Sequence, residues 1–125
     1  MAADECEQVV IVAAKCHRQG GEFGARFELR HGSEWHLTWA FPLRPGERDR
    51  EGYGGIIAEG SFFREAVYPG CPHCGAPGVV QCGACSRLSC LDSEVERGAA
   101  FQCAWCGNRG TIDRAIERLD AQGDA

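Results

Sequence analysis

The sequence predicts a mainly β protein with a small C-terminal helix, in which an antiparallel N-terminal sheet packs on a cysteine-rich, zinc-ribbon-like module. Three observations predict it. Apolar and polar residues alternate along two stretches near the N-terminus, 23–30 and 35–41. Seventeen glycines in 125 residues point to many turns and few long helices. Seven of the nine cysteines fall between Tyr68 and Gly110, six of them in Cys-x-x-Cys pairs.

In chain order, residues 1–6 read as frayed. The run Val9-Val10-Ile11-Val12-Ala13-Ala14 is β-branched and apolar, a buried strand. Gln19-Gly20-Gly21-Glu22 turns the chain. Phe23, Ala25, Phe27 and Leu29 then share one face of a second strand. After His31-Gly32-Ser33, Trp35, Leu37, Trp39 and Phe41 form the apolar face of a third. Short turns between alternating strands predict a meander. Pro42 ends it, and 43–55, with its glycines and mixed charges, reads as an exposed, mobile loop. Ile56 to Gly60 is a short fourth strand. Phe62, Phe63, Val67 and Tyr68 are expected where sheet and cysteine-rich module meet. Beyond the first cysteine pair, Val79-Val80-Gln81 enters Cys82 as a strand, Ser86 to Cys90 returns beside it, and Phe101-Gln102 leads into the last pair. Thr111 is placed to cap a helix whose apolar residues are Ile112, Ala115, Ile116 and Leu119, at i, i+3, i+4 and i+7. The expected organisation is a β portion over 1–67, a metal module over 68–110, and a capping helix with a disordered tail over 111–125, together one compact unit.

The cysteines carry the chemistry. Cys71-Pro72-His73-Cys74-Gly75 and Cys103-Ala104-Trp105-Cys106-Gly107 are knuckles. Two residues between the thiols let both sulfurs reach one metal at about 2.3 Å, and the glycine permits the tight turn beneath it. With Cys82, Cys85 and Cys90, this spacing predicts structural zinc, one ion or two, with two the favoured count. Four-coordinate thiolate sites leave no open position for substrate, which argues for a scaffold and against an enzyme. A redox site at Cys71-Pro72-His73-Cys74 would need a helix following it, and Gly75, Pro77 and Gly78 forbid one. A disulfide framework fits poorly with the odd cysteine count, and the N-terminus carries no basic and apolar export pattern. A cytoplasmic location is expected.

Seven cysteines do not close two sites. Cys16, His17, His73 and Asp92 are candidates for the eighth ligand, and Cys16 also reads as a packed thiol. The simplest pairing joins Cys71 and Cys74 with Cys103 and Cys106. A crossed pairing, with Cys82 and Cys85 joining the last knuckle, is equally compatible with the spacing. A single ion with the middle cysteines unmetallated is the third alternative.

The formal charge of −5 opposes nucleic-acid binding, which leaves a basic footprint. A zinc-ribbon nucleic-acid binder is therefore the alternative reading, and a protein partner the leading one. No run is apolar enough to span a membrane. No HExxH pattern, phosphate-binding loop or serine elbow is present.

The order Trp39-Ala40-Phe41-Pro42, Tyr68-Pro69-Gly70-Cys71-Pro72-His73-Cys74-Gly75, Cys82 and Cys85 with Leu88-Ser89-Cys90, then Cys103-Ala104-Trp105-Cys106-Gly107, resembles the C-terminal metal-binding domain of TerY-type proteins. That bacterial family is linked to tellurite resistance and stress. The resemblance runs from about Cys16 to Gly110. It implies a metal-binding interaction module whose partners include a von Willebrand A-type domain, a protein kinase or a PP2C-type phosphatase. The chain departs from the pattern in having no von Willebrand domain and in carrying Cys85-Ser86 where the family's middle knuckle has Cys-Gly.

Overall fold

Strand β1, Gln8–Lys15, is the one on which the other strands are assembled. The structure is a computed structural model describing residues 8–44, 56–92, 98, 100–112 and 116–123. The apolar run of β1 is buried on both faces, from Val10 to Ala14, as expected of a strand at the centre of a sheet. One edge of β1 pairs antiparallel with β2, Glu22–Arg30, along its whole length, and β2 pairs antiparallel with β3, Glu34–Pro42. The meander is as the alternation predicts. Val10, Val12 and Ala14 of β1, Phe23, Ala25 and Phe27 of β2, and Trp35 and Leu37 of β3 share one core.

The alternation of β3 does not run through. The register slips between Arg26 and Phe27, so Leu37 opposes Phe27, Trp39 opposes Arg26, and Thr38 is the extra residue of a bulge. The bulge changes the phase. Ala40 enters the core, and Trp39, expected inside, is 52% exposed. Thr38 is buried at the bulge, where Arg26 Nη1 donates to its hydroxyl at 3.2 Å. Across from Phe41, Gly24 leaves room for the ring: a Cβ there would stand 2.6 Å from Phe41 Cζ.

Strands β4, Ile56–Glu59, and β5, Ser61–Arg64, follow. β5 runs parallel to β3, and Phe62 wedges its ring between Phe27 and Trp35, with centroids at 5.6 and 6.5 Å. Tyr68 is buried as expected, whereas Phe63 and Val67 are exposed. Strand β6, Gly78–Gln81, and β7, Leu88–Leu91, form an antiparallel hairpin. β7 also pairs parallel with the end of β1, Ala14 opposite Leu88 and Lys15 opposite Ser89. The cysteine-rich segment therefore continues the N-terminal sheet. A separate two-stranded sheet holds β8, Ala100–Gln102, and β9, Arg109–Thr111.

The expected C-terminal helix is overturned. Thr111 ends β9, and 118–123 forms strand β10, Arg118–Gly123, paired with β4 on one side and with Val10 and Ile11 of β1 on the other. Among the described residues there is no helix, and so none long and apolar enough to cross a membrane. The apolar spacing misled because Ile112 and Leu119 are both buried, as a helix would require, but Ile112 follows β9 and Leu119 lies in β10. A short isolated helix is marginal in water, whereas a strand between β4 and β1 satisfies backbone groups on both its edges. Ala121 to Gly123, expected to be disordered, belong to this strand. Residues 1–7, most of the 43–55 loop, and Ala115 lie outside the described residues.

Candidate metal centres

Four turns in the chain share one backbone design. They span 16–20, 71–75, 82–86 and 103–107. In each, the carbonyl of the leading cysteine accepts from the N–H four residues on, at 2.7–3.0 Å. The N–H of that cysteine donates to the carbonyl five residues on, at 2.8–3.0 Å. The residue four after the cysteine has positive φ: Gly20 at 77°, Gly75 at 81°, Ser86 at 66° and Gly107 at 77°. Three of these knuckles are hairpin turns, joining β1 to β2, β6 to β7 and β8 to β9. The knuckle at 71–75 is held from behind by Gly70, where φ is 95° and a Cβ would stand 2.8 Å from the Gly75 carbonyl oxygen.

The knuckle at 82–86 pays a conformational penalty, since Ser86 is not glycine. A left-handed residue with a Cβ costs about 1–2 kcal/mol. Ser86→Gly is expected to raise stability by about 1 kcal/mol or less, after the extra freedom of glycine in the unfolded chain is subtracted. Thermal unfolding of the metal-loaded protein measures it.

The four knuckles, with seven sulfurs, and Cys90 of β7 bring eight sulfurs into two sets of four. The inner set is Cys16, Cys71, Cys74 and Cys90; the outer set is Cys82, Cys85, Cys103 and Cys106, and within each all sulfurs lie within 4.8 Å of one another. Cys16, Cys71 and Cys90 are buried among the core residues, while Cys106 is exposed. Sulfur separations are 3.7 Å for Cys74–Cys90, 3.7 Å for Cys82–Cys106 and 3.6 Å for Cys85–Cys103. A disulfide would need about 2.05 Å. Four sulfurs at about 2.3 Å from a central ion stand about 3.8 Å apart in a tetrahedron, so both sets fit a metal ion.

The pairing differs from the simplest sequence expectation. Cys71 and Cys74 do not join Cys103 and Cys106; the crossed arrangement is the one found. Cys16 is the eighth cysteine of the two sets, and Cys90 crosses to it because β7 lies beside the end of β1. His17, His73 and Asp92, the other candidates, stand outside the four-sulfur sets. His17 Nδ1 lies 2.9 Å from Cys90 Sγ and its Nε2 3.2 Å from Asp92 Oδ2. Arg18 Nε donates to Asp92 Oδ1 at 3.1 Å, and this hydrogen bond holds the Asp92 carboxyl below its ordinary range. His73 Nε2 lies 2.9 Å from the Glu22 carbonyl oxygen, with its ring edge-on to Phe23.

Backbone N–H groups point at the sulfurs. Those of Gln19, His73, Ala84 and Trp105 donate to Cys16, Cys71, Cys82 and Cys103 at 3.3–3.4 Å, and that of His17 donates to Cys90 at 3.4 Å. Such bonds favour thiolate over thiol. Burial acts to raise the Cys16 thiol, but the amides of Gln19 and Arg18 outweigh it and bring it down to about 7. The amides of Cys106 and Trp105 likewise outweigh burial at Cys103, lowering it to about 7. Burial pushes Cys71 up to about 11 and Cys85 up to about 12, and raises Cys90 as well. Cys16 and Cys103 are thus the thiols readier to ionise, while Cys71, Cys85 and Cys90 hold their protons until a metal displaces them.

A pH dependence follows. Metal binding at the inner set must displace protons from Cys71 and Cys90, which are protonated at neutral pH. Each displaced proton makes apparent affinity rise about tenfold per pH unit, so affinity should rise about 100-fold or more per unit and fall equally on acidification. Chelator competition between pH 6 and 8 measures the slope.

Strand β7 also touches the outer set. Ser89 Oγ accepts from Ala104 N at 3.0 Å and lies 4.0 Å from Cys103 Sγ. Trp105 Nε1 donates to the Leu88 carbonyl at 2.7 Å, and the indole ring faces Lys15 Nζ and the Arg87 guanidinium at 5.2 and 4.9 Å. Spacing alone gives Gln19 and Ser89 no part in the metal centres. A signal for the first was present: Cys16-x-x-x-Gly20 repeats the frame of Cys71-x-x-x-Gly75 and Cys103-x-x-x-Gly107, with Gln19 where the second cysteine would be.

Comparison with protein-family models, with curated proteins and with solved structures gave no match.

Proposed function

We propose that this chain is a zinc-binding protein-interaction module, with two zinc ions as scaffold. The observation that carries this reading is the pair of four-sulfur sets, each with the donor number and spacing of a closed tetrahedral site. All-sulfur tetrahedral donors suit zinc or iron, and isolated knuckle pairs are the usual setting of zinc. Bound zinc would offset half of the thiolate charge of each set and lock the knuckles against one another; the residues of the chain supply the ligands and the amides that hold them. Such a closed site offers no position for substrate, so the role is structural and not catalytic.

An interaction role draws support from the surface. Trp39 on β3 and Phe63 on β5 are exposed at 52% and 46%, and large aromatic side chains are typical anchors of protein interfaces. The resemblance to TerY-type metal-binding domains extends the proposal to a bacterial stress or signalling system of the tellurite-resistance type, in the cytoplasm, with a von Willebrand A-type protein, a kinase or a PP2C-type phosphatase as partner. Metal analysis of the purified chain tests zinc against iron. Capture of one of those partners from host lysate, insensitive to nuclease and lost with Trp39→Ala or Phe63→Ala at unchanged zinc content, is the expected result. Recovery of nucleic acid instead would favour the ribbon nucleic-acid reading.

A further inference from the structure

The knuckle at 16–20 has every backbone feature of the other three and lacks only its second thiol. Arg18 and Gln19 amides face Cys16 as those of His73 and Cys74 face Cys71, and those of Trp105 and Cys106 face Cys103. Gln19 occupies the position of Cys74, Cys85 and Cys106. Its side chain makes no sulfur bond; Nε2 donates to the His73 carbonyl at 2.8 Å and ties this knuckle to the next. The missing sulfur arrives from elsewhere, as Cys90 of β7.

β7 is not free to deliver it alone. Its first residues are held by the outer knuckle, through Leu88 O to Trp105 Nε1 and Ser89 Oγ to Ala104 N. Cys90 follows directly. The turn that leads into β7 carries Cys82 and Cys85, themselves outer ligands. Placing β7 therefore places a ligand of the inner set, and closure of the outer set adds to the pairing with β1 and β6 that places β7.

We propose that the two metal centres are coupled through β7: loading of the outer set seats Leu88 and Ser89 against Ala104 and Trp105 and so presents Cys90 to the inner set, with Ser89 as the positioning residue. This rests on the reading of both sets as metal sites. The outer set fills first, because its ligands come from two complete knuckles. The inner set must join three separate segments, closing the long span from Cys16 to Cys71, and carries the larger loop entropy. The coupling is mutual, since linkage requires each ion to strengthen the other by the same factor.

The test is Co²⁺ titration of the full-length chain, followed by sulfur-to-cobalt charge transfer and by native mass spectrometry, in the wild type and four variants. Disabling the outer set with Cys85→Ser/Cys106→Ser should weaken the inner set about 5–150-fold, the usual span of coupling between sites. Ser89→Ala removes no ligand; because Ser89 Oγ also accepts from Ala104 N in the outer knuckle, it should weaken the first ion slightly and the second by about 5-fold or more. Adding Gln19→Cys to the outer-set variant gives the 16–20 knuckle its own thiol and should restore inner-set affinity to within about 3-fold of wild type, an outcome that mere misfolding would not produce. Gln19→Cys should likewise restore a four-sulfur spectrum to Cys90→Ser. Equal inner-set affinity with and without the outer set, or failure of Gln19→Cys to rescue, would overturn the coupling while two bound ions left the zinc reading standing. A wild-type chain that binds no ion at either set would overturn both.

Discussion

Removal of metal by a strong chelator should abolish the ordered structure of 68–92 and 100–112 while leaving part of the β1–β3 meander. The two regions differ in what holds them. The meander supplies Val10, Val12, Phe27, Trp35 and Leu37, the larger part of the bulky side chains of the apolar core. Strands β8 and β9 are three residues each, form a sheet of their own, and have exposed or half-buried side chains. A two-stranded hairpin of that size is not stable alone in water. Structural zinc contributes on the order of 10–16 kcal/mol of apparent binding free energy in small modules, as much as the entire stability of an ordinary domain. In amide NMR spectra, the dispersed signals of Gly75, Ser86 and Gly107, whose N–H groups close the knuckles, should collapse on chelation and return with zinc. Spectra unchanged by chelation would mean that the thiols pack as ordinary apolar side chains.

Phe23→Ala should cost about 3–5 kcal/mol, the range for truncating a fully buried aromatic ring. Phe23 is 0% exposed, and its ring lies between two parts of the molecule. On one side is the core shared with β1 and β3; on the other is the His73 ring, 6.5 Å away, within the 71–75 knuckle. The cavity would loosen the sheet and the inner metal set together, so chemical denaturation should show a lower midpoint and zinc should transfer faster to a competing chelator. The control is Phe63→Ala: that ring is exposed and stacks on His36 at 5.1 Å, so loss of less than about 1 kcal/mol is expected. A Phe23→Ala variant as stable as the Phe63→Ala variant would contradict the placement of the core.

Much of this architecture was legible in the residues. The period-two patterns of 23–30 and 35–41 and the β-branched run of 9–14 are local signals, and the strands stand where those signals put them. What failed were non-local decisions. A bulge at Thr38 leaves no mark in composition, yet it moves Trp39 to the surface and Ala40 inside. The spacing of Ile112, Ile116 and Leu119 satisfies a helix as well as two segments that converge, and the vacant edge of β1 decides for the strand. The site shows the same division. Cys-x-x-Cys pairs announce themselves, but which knuckle meets which depends on β7 lying parallel to the end of β1, a contact between residues more than 70 apart in sequence. Spacing cannot encode that pairing, and it left Cys16 as one candidate among four.

Eight sulfurs lie in two separate sets of four, each able to hold one metal ion. Native mass spectrometry of the zinc-loaded chain, with Cys16→Ser and Cys103→Ser beside it, tests this most directly. Two ions per wild-type chain and one in each variant are expected. Cys16→Ser should keep an ion held by Cys82, Cys85, Cys103 and Cys106, and Cys103→Ser one held by Cys16, Cys71, Cys74 and Cys90, as shown by which cysteines escape alkylation. Two ions retained by Cys16→Ser, or protection of Cys71 and Cys74 lost together with that of Cys106 in Cys103→Ser, would contradict this arrangement.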